Sequence, residues 1–249
     1  MLEAAAIVAA AVAAGIANAI VGSGTLITFP TLIAFGYPPV LANVSNTTGL
    51  VFGNAASIAA WRRELEGQTG RALRLGVASV AGGVTGAVLL FDLPASAFRR
   101  IVPVLIALSV VLVAVQPLVS KHLARRRSDR TPGSHPWATA SALFLVGVYG
   151  GYFGAAQGLL IIAVLGVAVS DTLHRLTALR NVLAGATNAV AAIAFMAATQ
   201  IAWRVVALIA VGSILGGWIG VRIGRQLPPA AYRAVILLVG VAALVKLSI

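Results

Sequence analysis

The sequence is expected to fold as an all-α integral membrane protein of two inverted repeats, with about eight full transmembrane helices and two short, broken ones. Three observations carry this expectation. Hydrophobic residues make up 60% and charged residues 10% of the 249 positions, too few charges to cover a soluble domain. Apolar stretches of about 20 residues, the length that crosses a hydrocarbon core, recur along the whole chain. The two halves of the sequence also match one another at a nearly fixed offset.

In order, full spans are expected at 2–21, 39–61, 72–91, 97–120, 137–154, 172–198, 203–224 and 230–248. The apolar segments 25–36 and 156–169 are too short to cross comfortably. Each follows a longer segment across a Gly-rich break, VGSGT in one case and GYFGAAQG in the other. Short, interrupted hydrophobic segments at matching places are the sign of broken helices in transporters.

The places match because the chain is a repeat. A shift of 134 puts Asn54 on Asn188, Gly82 and Gly83 on Gly216 and Gly217, Gly86 on Gly220, Leu93-Pro94 on Leu227-Pro228 and Arg99 on Arg233. Near the start the shift is 132, which aligns Gly15 with Gly147 and Gly22 with Gly154. Residues 1–120 form the first repeat, 121–136 a basic cytoplasmic linker and 137–249 the second repeat. Counting five crossings per half leaves 14 Lys and Arg on the cytoplasmic side and 4 outside, against 11 and 7 for four crossings. Positive residues stay on the cytoplasmic side. The count therefore favours inverted halves with both termini outside.

The net charge of +12 reflects that topology, and no nucleic-acid partner is expected. With no Cys, disulfides, thiolate metal sites and thiol catalysis are excluded. The amino-terminal stretch lacks a basic n-region and is too long for an h-region, so no cleavable signal peptide is expected. His122, His135 and His174 are scattered and cannot make a metal site. No Ser-His-Asp or paired-carboxylate arrangement appears, and the chain is not expected to be an enzyme or to carry a cofactor.

The pattern from Gly15 to GSGT (Gly22–Thr25), then Pro30, then GYPPxxAN (Gly36–Asn43) is specific. Together with GVYGGYFGAAQG (147–158) and the GGxxG spans, it resembles the sulfite exporter TauE/SafE family of membrane permeases, over residues 7 to about 245. The resemblance implies a multi-pass protein of the cell inner membrane. It also implies transport of sulfite, sulfonates or other small organic anions.

Candidate substrate-binding residues fall in three groups. Gly22, Ser23, Gly24 and Thr25, with Gln157 in the second half, lie at the breaks. Backbone N–H groups and the positive ends of the following half-helices could face an anion there, or the small residues could serve close helix packing alone. Asn43, Asn46, Thr47, Asn54 and Ser57 form one polar stripe at helical spacing along an apolar helix. Thr177, Arg180, Asn181 and Asn188 repeat the stripe in the second half. Such stripes border a hydrated cavity or hold helices together by hydrogen bonds. Arg180 lies inside a span, where a charge is costly. Its fork either pairs bidentately with sulfite or sulfonate oxygens or snorkels to the interface near Asp171 and Arg175.

All six carboxylates sit at span ends or in loops. A proton-coupled carrier usually keeps a titratable group inside the membrane. Anion efflux by alternating access is the reading adopted. The runner-up is an importer of an organosulfur or small carboxylate anion, coupled to a cation, sodium or proton. The expected partners are the anion and the bilayer, with room for a homodimer. A membrane-embedded enzyme or an assembly subunit is the rival from another class; an enzyme should show titratable or metal-ligand clusters at mid-membrane, and an assembly subunit would not need a doubled polar stripe.

Overall fold

The computed structural model describes residues 1–126, 136–224, 237–238 and 241. Among these residues every regular element is helical: α1 (Leu2–Ile20), α2 (Thr25–Ala34), α3 (Pro39–Ala60), a 3₁₀ turn (Arg62–Leu65), α4 (Thr69–Asp92), α5 (Ala95–Arg126), α6 (Pro136–Tyr152), α7 (Gln157–Ala168), α8 (Leu173–Ala198) and α9 (Trp203–Gly224). Both short helices lie where the Gly-rich breaks put them. Pro39 opens α3 at a position whose N–H has no helical partner anyway. At the start of α8 the Thr172 side chain accepts from the Arg175 N–H.

The eight full spans expected are matched in part by the described residues. Among the described residues, helices α1, α4, α8, α9 and the Ala95–Leu118 part of α5 are the five that are long and apolar enough to cross a membrane. Helix α3 has the length, at 22 residues, but its buried Asn, Ser and Thr dilute its apolar character. Helix α6 has 17 residues. The expected span 230–248 lies almost wholly outside the described residues. The expected linker begins inside α5, which runs on to Arg126, and residues 127–135 are outside the described set.

Glycine contacts fix how the long helices lie. A methyl group on Gly212 would meet Val8, Ala11 and Val12, one on Gly216 would meet Val12 and Gly15, and one on Gly220 would meet Ile16 and Ala19. The contacts climb together, so α1 and α9 run in the same direction with their backbones nearly touching. Helix α3 joins them: Gly49 faces Val206 and Ile209, Gly53 faces Ser213, and Ser57 faces Gly217. A second trio repeats the arrangement. Gly82 faces Phe144, Gly147 and Val148, Gly86 faces Val148 and Tyr152, and Gly83 faces Thr187 and Val190 of α8. Helices α4, α6 and α8 therefore run together.

The two trios run in opposite directions. Helix α3 ends where α4 and α8 begin: there the rings of Trp61 and His174 lie 5.9 Å apart and Gln68 Nε2 donates to the Arg175 carbonyl at 3.2 Å. At the opposite end, the Tyr37 hydroxyl donates to Glu3 Oε1 at 2.7 Å. Helix α2 thus carries the chain back toward the start of α1, which lets α1 and α3 point the same way. Arginine is unevenly shared between the ends. Arg62, Arg63, Arg71, Arg74, Arg175 and Arg222 lie at one, and Arg99, Arg100 and Arg204 at the other.

Candidate functional site

The two breaks meet inside the bundle. Gly22 has φ +80° and Gly154 φ +76°, left-handed conformations that glycine adopts without steric cost. Each lets the chain stop one helix and start another within a few residues. The Gly158 N–H donates to the Gly22 carbonyl at 3.1 Å. Phe29 of α2 meets Phe153 edge to face, 5.2 Å between centroids, and Phe98 of α5 packs on Phe153 and Tyr152. This aromatic cluster seals the α5 side of the second break. Ser109 Oγ and the Tyr149 hydroxyl both donate to the Ala155 carbonyl, tying α5 and α6 to that break.

Arg180 reaches the first break rather than the interface. It is 2% exposed and donates from Nη2 to the carbonyls of Asn18 (3.1 Å) and Ala19 (2.8 Å) and from Nη1 to Ile20 (3.3 Å). These are the terminal carbonyls of α1, which have no partner within the helix. The guanidinium therefore caps the negative end of the α1 dipole. Snorkelling toward Asp171 and Arg175, one of the two expectations for this residue, does not occur. Asn181, beside it, donates to Ala19 at 3.3 Å and to Thr177 at 3.1 Å.

The α3 stripe serves the same break. Asn46 Nδ2 donates to Thr25 Oγ1 at 3.4 Å, and the Thr28 hydroxyl donates to Asn46 Oδ1. Asn54 Oδ1 accepts from Asn18 Nδ2 at 2.6 Å, while Asn18 Oδ1 accepts the Gly24 N–H at 3.5 Å. Nearer the start of α3, Asn43 Nδ2 donates to the Tyr152 carbonyl at 3.0 Å, next to the second break. Ser57, by contrast, bonds back to Gly53 of its own helix at 2.9 Å. Thr47 and Thr177 are buried on the same two helices.

The halves build the site differently. The repeat equivalent of Asn18 is Gly150, and the Gln157 amide fills the vacant space: a methyl group on Gly150 would lie 2.2 Å from Gln157 Nε2. Asn188, the equivalent of Asn54, sits half-buried beside Gly154. Asn18, Thr28, Ser109 and Tyr149 were absent from the sequence-based candidates. Asn18 and Thr28 flank the first break by a helical turn, which was a usable signal. Nothing local marked Ser109 or Tyr149.

Several buried polar atoms around the breaks have no protein partner: Ser23 Oγ, Asn54 Nδ2, Gln157 Nε2, Arg180 Nε and Asn43 Oδ1. The first four can donate. No carboxylate pairs with Arg180 among the described residues. Such a set suits a small anion, because only an anion accepts several donors at once and balances the guanidinium charge. The two cavities described lie elsewhere: one is lined by α4, α6 and α7, the other by α4 and α8, and neither touches a candidate site residue.

At the arginine-rich end the Asp171 carboxylate joins the halves. Asp171 accepts from Arg71 Nη1 and Arg175 Nε, each at 3.0 Å, and Arg175 Nη2 donates to the Glu66 carbonyl at 2.9 Å. Partial burial pushes the Asp171 carboxyl up. The Thr172 N–H and the two guanidiniums outweigh that and hold it below the usual carboxylate range.

A family model described as Sulfite exporter TauE/SafE matches residues 7–247. The chain is 24% identical to a probable membrane transporter protein, ORF9, of Sinorhizobium sp, over 96% of this chain and 89% of that one. It is 27% identical to the probable membrane transporter protein YfcA of Escherichia coli K12, over 86% and 77% of the two chains. No solved structure matches the chain.

Proposed function

Because the chain belongs to the sulfite exporter TauE/SafE family of membrane transporters, we propose that it exports small sulfur-containing anions, sulfite or sulfonates such as sulfoacetate, across the cell inner membrane by alternating access. The observation that carries this reading is the set of buried, unpartnered donors where the breaks meet: Ser23 Oγ, Asn54 Nδ2, Gln157 Nε2 and Arg180 Nε. An oxyanion that reached these donors would accept from them and balance the Arg180 charge. The break backbones are in direct contact and most of the polar stripe residues are buried, so alternating access would have to expose them to one side at a time.

Inverted repeats belong to the same reading. The opposed directions of the α1–α3–α9 and α4–α6–α8 trios support them, as does the exchange in which Gly15 meets Gly216 while its equivalent Gly147 meets Gly82. Rocking one half against the other around a fixed site then gives alternating access. With the cell interior negative, expelling one negative charge gains about 2.3 kcal/mol per 100 mV. One observation favours the second reading, cation-coupled import: Asn43 Oδ1 is a buried oxygen with no donor, a ligand type that sodium accepts.

Flux in proteoliposomes tests both readings. Ser23 Oγ has no protein partner, so Ser23→Ala removes no internal bond and should leave thermal stability intact. It should still weaken sulfite or sulfonate binding by about tenfold, the loss expected for one hydrogen bond to a charged group. Arg180→Lys should keep part of the transport and Arg180→Ala none. Sulfite flux that ignores Ser23→Ala and Gln157→Ala would refute the site. Anion uptake that needs an inward sodium gradient would favour import.

A further inference from the structure

We propose that the cavity at the arginine-rich end, between the amino ends of α4 and α6 and the carboxyl end of α7, binds the headgroup of an anionic phospholipid. The cavity measures about 380 Å³ and is lined by Arg71, Arg74, Leu75, Trp137, Thr139 and Val169, among others. It is separate from the helix breaks and shares no residue with them.

Charge selects the ligand class. Asp171 is already shared between Arg71 and Arg175, so Arg74 has no acidic partner among the described residues. Arg74 spends only Nε, on the Gly70 carbonyl at 3.2 Å. Arg71 spends only Nη1, on Gln68 and Asp171. Two guanidiniums with open nitrogens on one cavity form a receptor for a phosphate group. The amino end of α6, which begins at Pro136, adds its partial positive charge.

The rest of the lining separates a lipid from a free anion. Leu75, Ala140, Ala168 and Val169 are apolar walls, which dissolved phosphate would not need but a glycerol backbone and the first acyl carbons would. Trp137 is 84% exposed in the first turn of α6. An exposed indole beside arginines is the amphipathic anchor found at headgroup depth. Basic pockets between spans at the positively charged side of a membrane protein are where anionic headgroups bind.

Native mass spectrometry of the purified full chain tests the assignment, with phosphatidylglycerol, phosphatidylcholine and inorganic phosphate as probes. Phosphatidylglycerol should be retained in preference to phosphatidylcholine. Arg74→Gln should cut that preference about fivefold, the share expected of one arginine near a membrane surface. Arg100→Gln, an exposed arginine at the opposite end, should leave it unchanged and serves as the control. A preference that survives Arg74→Gln, or is lost equally in Arg100→Gln, would overturn the site. Inorganic phosphate that displaces phosphatidylglycerol in an Arg74-dependent way would overturn the lipid assignment in favour of a free anion.

Discussion

Gly22 and Gly158 touch backbone to backbone: a methyl group built on either would lie 2.5 Å from the other's Cα, and the Gly158 N–H donates to the Gly22 carbonyl. The contact joins the first break to the start of α7, and Arg180 lies against both glycines. Moving either break must therefore disturb the cap on α1. The site and the packing of the halves form one mechanical unit.

That contact separates two costs of substitution. Gly22 and Gly36 both have positive φ, +80° and +86°, but nothing lies within 4 Å of a methyl group on Gly36. Gly36→Ala should cost only the left-handed strain, about 1–2 kcal/mol. Gly22→Ala adds a backbone clash and should cost at least about 1–3 kcal/mol more. Thermal unfolding of both variants in detergent is the measurement, and equal losses would mean that the break contact does not constrain the fold.

How far the sequence could lead follows from where each cause lies. The helices and both breaks were legible because apolar runs and clustered glycines act locally. Arg180 was singled out because its cost inside a span is local too. Its actual partners were not legible, since they are carbonyls about 160 residues away, freed only because α1 stops at Ile20. The exchange of Asn18 for Gln157 was hidden for a related reason. An alignment of the repeats pairs Asn18 with Gly150 and reads as the loss of an amide, whereas the space is refilled from the other side of the break.

The exchange can be measured as a coupling. In a helix interior Gly150→Ala should gain about 1 kcal/mol from helix propensity. Here the new methyl group would land on the Gln157 amide, so the single variant should instead lose about 1–3 kcal/mol. In a Gln157→Ala background the obstruction is gone and Gly150→Ala should become neutral or stabilising. A double-mutant cycle on unfolding free energy reads the difference. Additive effects would show that the amide does not occupy the space over Gly150.

The Asp171 bridge gives a pH dependence of definite sign. Its folded value lies below the ordinary one of about 4, so the ionised form is the one the fold stabilises. That stabilisation is complete above about 4 and disappears as pH falls through the depressed folded value. Asp171→Asn should lower the unfolding temperature at pH 7, and the gap to the parent protein should close toward pH 3. A gap of the same size at both pH values would mean that the bridge contributes through shape rather than charge.

The sharpest test concerns the direction of the second half. Pro38 and Ser170 are repeat equivalents at offset 132, Glu66 and Gln200 at offset 134, and all four are exposed. The chain has no native cysteine, so single-cysteine variants can be labelled without background. In inverted halves, equivalent positions face opposite sides of the membrane. Pro38→Cys and Gln200→Cys should then react together with an impermeant maleimide on intact cells, while Glu66→Cys and Ser170→Cys react only after permeabilisation. The second pair lies at the arginine-rich end, which the positive-inside tendency assigns to the cytoplasm. In parallel halves the pairing would change, with position 38 labelling alongside 170 and position 66 alongside 200. That pattern would contradict the opposed helix trios and remove the basis for rocking one half against the other.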